Sequence, residues 1–194
     1  FMKELEISLR SNPEVFGNTE GLLSALDSSY PFHPGFIDVM RDIIERAGLQ
    51  KTRDLLKLSR VVVRKIWRSE ENPYLIMPHH IDLSDENLRG NIFKGHLGMY
   101  STVADRDIKE NTKKFTKPAL ARAIATTIFL RSYIYDSPVP QPVFPRAQEI
   151  AISTFEPSLF RSNNWIPSDI LDCLEEMASQ THLVFLQVKD GAYW

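Results

Sequence analysis

The sequence predicts a mainly α-helical fold that closes on a small C-terminal β-hairpin. Three observations carry this expectation. Apolar residues recur at helical spacing through most of the 194 residues. Prolines stand where helices begin, at Pro34, Pro118 and Pro167. A strand-like run from His182 to Val188 precedes Asp190-Gly191, a pair of the kind that turns a hairpin.

The opening segment predicts two short helices. One carries Leu5, Ile7 and Leu9, the other Leu22, Leu23 and Leu26, with Asn18 or Thr19 as the second helix's cap. Pro34 sits in the first turn of the next helix, where Phe36, Ile37, Met40, Ile43 and Ile44 share a face and Gly48 provides the stop. The following helix has Leu55, Leu58, Val62 and Ile66 on one stripe, widened by Leu56, Val63 and Trp67. Glu70-Glu71-Asn72-Pro73 ends it.

Tyr74 to Ile81 reads as a short extended or loop segment. Ser84 caps a helix to about Gly95, and another runs from about Met99 to Lys114. Pro118 opens a long helix with Leu120, Ala123, Ile124, Thr127 and Ile128 on one side. The proline-rich run 137–142 is a rigid, extended connector. Helices from about Arg146 to Phe155 and from Pro167 to about Ser179 follow. Then come the strand His182–Val188, the turn, and a return strand at Ala192–Trp194. Three helices and then a hairpin is the order of a winged-helix unit.

Composition narrows the function classes. With 43% hydrophobic residues the chain can bury a sizeable core. No run approaches the ~18 uninterrupted apolar residues of a membrane span, and the N-terminus lacks a secretory signal pattern. The single cysteine, Cys173, excludes a disulfide framework and suits a reducing cytoplasm. Beside Ile170, Leu174 and Met177 it reads as a buried, inert thiol. Phe1-Met2 at one end and Trp194 at the other read as the ends of a piece excised from a longer protein.

The net charge of −2 is unevenly spread. Residues 36–68 hold nine Lys/Arg against four Asp/Glu, and residues 105–131 hold seven against three. Residues 147–194 hold two against seven. The basic segments suit an anion, whereas the tail repels one.

Several residues carry candidate chemistry. Lys51 and Arg53 fall in the first turn of a helix, where the dipole is already positive and free N–H groups attract anions. Without an anion, Arg53 is a solvated residue paired with Asp54 or Glu45. His33, between two prolines, caps its helix or approaches a ligand. His79 and His80 project to opposite sides of an extended segment, so they do not converge on one metal ion. Asp82, Asp85 and Glu86 are helix-start charges, and Asp105-Arg106-Asp107 pair with nearby bases such as Lys109. The would-be recognition helix carries Asp169, Asp172, Glu175 and Glu176 and no base, so it repels nucleic acid. Lys109, Lys113, Lys114 and Lys117 form the better nucleic-acid candidate.

Several motifs stand in order along the chain. They are Tyr30-Pro31-Phe32-His33-Pro34, Thr52-Arg53 opening a Leu-rich helix, and Ile76-Met77-Pro78 leading to Ile81-Asp82-Leu83-Ser84-Asp85. Then follow Ala104-Asp105, the run Ala125 to Leu130, and Asp190-Gly191-Ala192-Tyr193. This succession resembles a family of large bacterial and archaeal AAA+-like ATPases of unassigned biochemical function. Members often sit near restriction, DNA-modification and phage-exclusion systems. The resemblance covers the chain from Ser29 onward.

The resemblance implies a division into a helical lead-in over 1–28, a lid-like domain over 29–116 and a winged-helix-like domain over 117–194. In such proteins the phosphate loop and the metal-binding acidic motif lie upstream, and this chain holds no Gly-x-x-x-x-Gly-Lys-[Ser/Thr]. The implied cofactors, ATP and Mg²⁺, are therefore bound mainly by that upstream part. This piece would not hydrolyse ATP alone, although its parent would. Arg53 resembles the lid arginine that such motors place on the γ-phosphate, with Lys51 and His33 as further nucleotide contacts. The expected role is a non-catalytic regulatory part that couples ATP turnover to a DNA-related or defence activity in the cytoplasm. The alternative is a nucleotide-free helical adaptor for protein–protein contact. The expected partners are the upstream ATPase module and a second copy or another protein. Nucleic acid is expected only away from the acidic helix 167–180, and no membrane is expected.

Overall fold

A computed structural model describes residues 2–46, 49–69 and 72–194. These residues form a mainly helical structure that ends in one two-stranded antiparallel hairpin, as the pattern predicts.

The first segment holds α1 (Met2–Ser11), α2 (Pro13–Phe16) and α3 (Leu22–Ser29). Pro13 starts a separate short helix, so three elements stand where two were expected. Leu5 and Leu9 are buried, while Ile7, two positions along the turn, faces water. Neither Asn18 nor Thr19 caps α3. Asn18 instead accepts the Glu20 N–H at 2.8 Å, and Gly21 precedes the helix with a φ of 81°.

Helices α4 (Pro34–Arg46) and α5 (Lys51–Arg68) pack on each other. Phe36, Val39, Met40 and Ile43 of α4 join Leu58 and Val62 of α5 in one core, and Ile44 is buried beside them in sequence. The expected stops at Gly48 and Glu70-Glu71 lie outside the described residues. The segment after α5 is extended where it runs parallel to residues 31–33. His33 N–H donates to Ile76 O at 3.0 Å, and Ile76 N–H donates to Pro31 O at 2.8 Å. It then tightens into a 3₁₀ turn at Pro78–His80.

Helix α6 (Glu86–Ile92) is capped by Asp85, not by Ser84. The Asp85 carboxylate accepts the N–H groups of Asn87 and Leu88, whereas the Ser84 hydroxyl donates to Asp82. The helical run expected over 99–114 is present but changes its hydrogen-bond step. It passes from α7 (Tyr100–Val103) into a π-helical stretch, Ala104–Glu110, and then a 3₁₀ turn at Asn111–Lys114.

Helix α8 (Pro118–Ser132) is the centre of the molecule. It is buried on nearly every side, not on one stripe, and touches the 3₁₀ turn at 78–80, the π-helical stretch and the helices that follow it. Thr126, Thr127 and Ser132 satisfy their hydroxyls on carbonyls one turn back at 2.7–2.9 Å, so these polar side chains are tolerated inside.

Three helices then follow: α9 (Ala147–Thr154), α10 (Pro157–Ser162) and α11 (Asp169–Ser179). Helix α10 was not anticipated. Buried Glu156 accepts the Leu159 N–H at 2.8 Å and the Tyr74 N–H at 2.9 Å, capping α10 and tying it to the extended segment. The hairpin joins β1 (Val188–Lys189) to β2 (Ala192–Tyr193). Its turn is at Asp190-Gly191 as expected, with φ of 54° and 77°. The expected strand over 182–188 is corrected to Val188–Lys189 alone. The Asp107 carboxylate takes the N–H groups of Val184 and Phe185, which therefore pair with a side chain and not with a strand. One hydrophobic core includes Leu5, Phe36, Leu75, Ile124, Ile150 and Ile170, drawn from all three expected segments. No described helix is long and apolar enough to cross a membrane.

Candidate functional site

The sequence points first to the starts of α4 and α5. At α5, the Asp54 carboxylate folds back and accepts the Gln50 N–H at 2.8 Å, satisfying a donor that the helix start leaves free. Asp54 is buried. The neighbouring Arg53 guanidinium lies 3.9 Å from Asp54 and its side chain is 78% exposed. Lys51 is the first residue of α5, but its side chain lies outside the described residues.

His33 has a different fate. Its Nδ1 accepts the Gly35 N–H at 3.0 Å, and only 4% of the residue is exposed. Burial, and secondarily the Arg131 charge, lower its pKa to about 4. The ring is neutral and sealed, so it caps α4 and offers no cation to a phosphate. Among the described residues no hydrogen bond or ion pair joins it to Arg53. They open different helices, and α4 between them in sequence is about 20 Å long at ~1.5 Å per residue.

Beyond Arg53, the outer face of α5 carries Leu56, Arg60, Val63 and Trp67 at alternating spacings of three and four. Leu56 is 66% and Trp67 87% exposed. These residues were expected to widen the buried stripe, but they lie too far around the helix from Leu58 and Val62 to reach the core. Lys57, Arg64 and Arg68 flank them, also exposed. The described part of α5 has one acid, Asp54, which is turned to the helix start. The face is therefore apolar, cationic and uncovered.

A cavity of about 360 Å³ opens near the other end of α5. Lys65 and Ile66 of α5, the segment His79–Ser84, the π-helical residues Ala104, Asp105, Ile108 and Lys109, and Ala119, Arg122, Ala123 and Thr126 of α8 line it. Lys65 pairs with Asp82, and Arg122 stands 3.8 Å from the same carboxylate. Arg89 holds Asp105 through two bonds of 2.8 and 2.9 Å. His80 Nδ1 accepts the Met77 N–H at 2.8 Å, which places its proton on Nε2. His79 lies against His80, with ring centroids 4.5 Å apart. Both His79 nitrogens are shielded from solvent and have no hydrogen-bond partner among the described residues. Burial depresses the pKa of both rings, His80 to about 4, so both are neutral.

The family model described as the DUF499 second domain matches residues 1–194. The chain belongs to that family. No curated protein and no solved structure matches it.

Elsewhere in this DUF499 second domain, most of the expected nucleic-acid segment is occupied internally. Lys113 pairs with Glu110 at 2.7 Å, Lys114 donates to Asn111 at 2.8 Å, and Lys117 pairs with Asp169 at 2.6 Å. Of the four, only Lys109 has no hydrogen-bond or ion-pair partner among the described residues. On α11, Asp169 and Glu176 bind back to Lys117 and Thr116, leaving Asp172 and Glu175 turned outward. Asp105 and Asp107 do not pair with Lys109. The first meets Arg89, and the second accepts backbone N–H groups. Cys173 is buried, and desolvation, helped by Glu176, pushes its thiol up to about 12, so it stays protonated. Among the described residues no group of three or more His, Cys, Asp or Glu is arranged to hold a metal ion.

The cavity was not foreseen. Lys65, Asp82, Lys109 and Arg122 are scattered along the chain and form no local motif. The nearest signal is His79-His80 beside Ile81-Asp82, two neutral rings and a carboxylate on one tight segment.

Proposed function

We propose that this DUF499 second domain is the non-catalytic lid and winged-helix regulatory part of a AAA+-like ATPase. It couples ATP binding and hydrolysis to a DNA-related or defence activity. One observation carries this reading: the uncovered outer face of α5, with Arg53 at its start and Leu56, Val63 and Trp67 along it. Such a face is built to dock, since exposed large apolar residues cluster where a partner covers them. An arginine at the helix start, held by no strong ion pair, is free to meet an anion on that partner. The partner is the upstream nucleotide-binding module. ATP, held there with Mg²⁺, supplies the negative charge. Of the three residues implied for nucleotide contact, Arg53 has the reach. His33 does not fit the role, because its ring is sealed and neutral.

A second reading is a nucleotide-free adaptor. Asp172 and Glu175, outward on α11 and without a described partner, favour a protein contact on that side.

The deciding experiment is ATP hydrolysis by the full-length protein that carries this domain, wild type against Arg53→Ala, with nucleotide affinity measured alongside. A loss of turnover of tenfold or more with little change in ATP affinity supports the lid role. Unchanged turnover removes Arg53 from the nucleotide site. Absence of hydrolysis in both proteins transfers the assignment to the adaptor.

A further inference from the structure

We propose that the cavity between α5, the His79–Ser84 segment, the π-helical stretch and α8 binds a small organic phosphate monoester. Four observations converge on this ligand.

The first is charge. Lys65, Lys109 and Arg122 come from three different elements to one cavity, which also holds the acids Asp82 and Asp105. Asp105 is already neutralised by the Arg89 fork. The Asp82 carboxylate is held by Ser84 and Lys65, and Arg122 stands 3.8 Å from it, beyond hydrogen-bond length. Lys109 has no described partner. The cavity therefore keeps an excess of cationic donors. A phosphate monoester matches it, with about −1.5 to −2 charges and terminal oxygens for Lys109 and Arg122, while Lys65 stays on Asp82.

The second is the orphan ring. A buried imidazole without hydrogen bonds is costly, so a group this well shielded wants a partner. Neutral His79 offers one N–H and one acceptor nitrogen. Hydroxyls on the ligand's body can donate to one nitrogen and accept from the other once the wall that shields the ring gives way. His80 adds an Nε2–H donor on the same wall.

The third is size. A cavity of about 360 Å³ falls within the range of small-molecule sites, roughly 300–1,000 Å³. Ile66, Ile81, Leu83, Ala104, Ala119 and Ala123 supply an apolar wall for the carbon skeleton. The fourth is the backbone. One wall is π-helical, a conformation rare in proteins and concentrated at functional positions.

The test is calorimetric titration of this 194-residue chain at fixed ionic strength. The probes are glucose 6-phosphate, ribose 5-phosphate, glycerol 3-phosphate and AMP. Inorganic phosphate, gluconate and glucose are the comparison arms. At least one monoester should bind saturably, and at least tenfold more tightly than inorganic phosphate, gluconate or glucose. Lys109→Ala and Arg122→Ala should each weaken that binding at least tenfold. His79→Phe keeps the ring volume and removes both nitrogens, and should weaken it too. Because Lys109 is exposed and has no partner among the described residues, its variant should fold even where His79→Phe does not. No saturable binding by any monoester overturns the proposal, as does full affinity in Lys109→Ala. Equal binding of inorganic phosphate overturns the organic body, and equal binding of gluconate overturns the phosphate.

Discussion

Asp107 Oδ2 accepts the backbone N–H of Phe185 at 2.7 Å. Its other oxygen accepts the Val184 N–H at 3.1 Å and the Asn111 amide at 2.9 Å. One buried carboxylate on the π-helical stretch therefore holds the chain between α11 and the hairpin. Hydrogen bonds to a charged group contribute about 1.5–3 kcal/mol each, and orphaned buried donors add a further cost. Asp107→Ala should lower stability by about 3 kcal/mol in urea denaturation. Amide exchange at Val184 and Phe185 should accelerate most. An unchanged urea midpoint would show that this carboxylate does not anchor the segment. Asp107→Asn, which keeps an accepting oxygen, should lose less.

The start of α4 makes a second prediction, with a sign opposite to helix propensity. Exchanging a helical glycine for alanine ordinarily gains about 1 kcal/mol. At Gly35 the added Cβ would lie 3.0 Å from Ser153 Oγ and 3.1 Å from His33 Nδ1. The second of these atoms is the acceptor that caps the helix, so it cannot retreat without giving up its bond. Gly35→Ala should therefore destabilise by about 1–2 kcal/mol, the cost of overpacking a tight site. A rise in melting temperature would show that the two neighbours yield freely.

Arg53 and its neighbour Asp54 separate function from folding. Asp54 is buried and accepts the Gln50 N–H, so Asp54→Ala should cost about 1 kcal/mol, as the loss of a helix-start acceptor does. Arg53 is exposed, and its contact to Asp54 is a loose 3.9 Å. Arg53→Ala should leave stability within about 0.5 kcal/mol of wild type. Thermal melts of the two variants check this. A large stability loss in Arg53→Ala would make its effect on ATP turnover a folding effect.

Much of the helical framework was legible because it repeats. Phe36, Met40, Ile43 and Ile44 mark the buried face of α4 by period alone, and Asp190-Gly191 marks the turn by its backbone demands. Helix α8 was legible as a helix but not as the centre, since a helix buried all round shows no contrast between faces. The run at 182–188 has the alternation of a strand, and only the distant Asp107 denies it a ladder. Glu156 before Pro157 is a helix-start signal, an acceptor ahead of a proline at the first helical position. The cavity was illegible for a physical reason. Its charges come from elements brought together by tertiary packing, and no local spacing encodes that meeting.

Acid should unfold this protein earlier than its carboxylates alone require, because its buried histidines must charge. His33 has an ordinary pKa near 6.5 when unfolded and about 4 when folded. Between those values the unfolded chain binds more protons, so stability falls as pH drops from 6.5 and the loss is complete below 4. For His33 alone the loss approaches about 3 kcal/mol, at 1.36 kcal/mol per pKa unit. His80, also at about 4, and His79, lowered in the same direction, steepen the same window. His33→Asn isolates the first contribution, since asparagine keeps a side-chain acceptor for the helix start but takes up no proton. Urea denaturation near pH 7, 5.5 and 4.5 should show the variant losing less stability on acidification than wild type does. Parallel losses in the two proteins would mean that His33 does not stay neutral in the folded state.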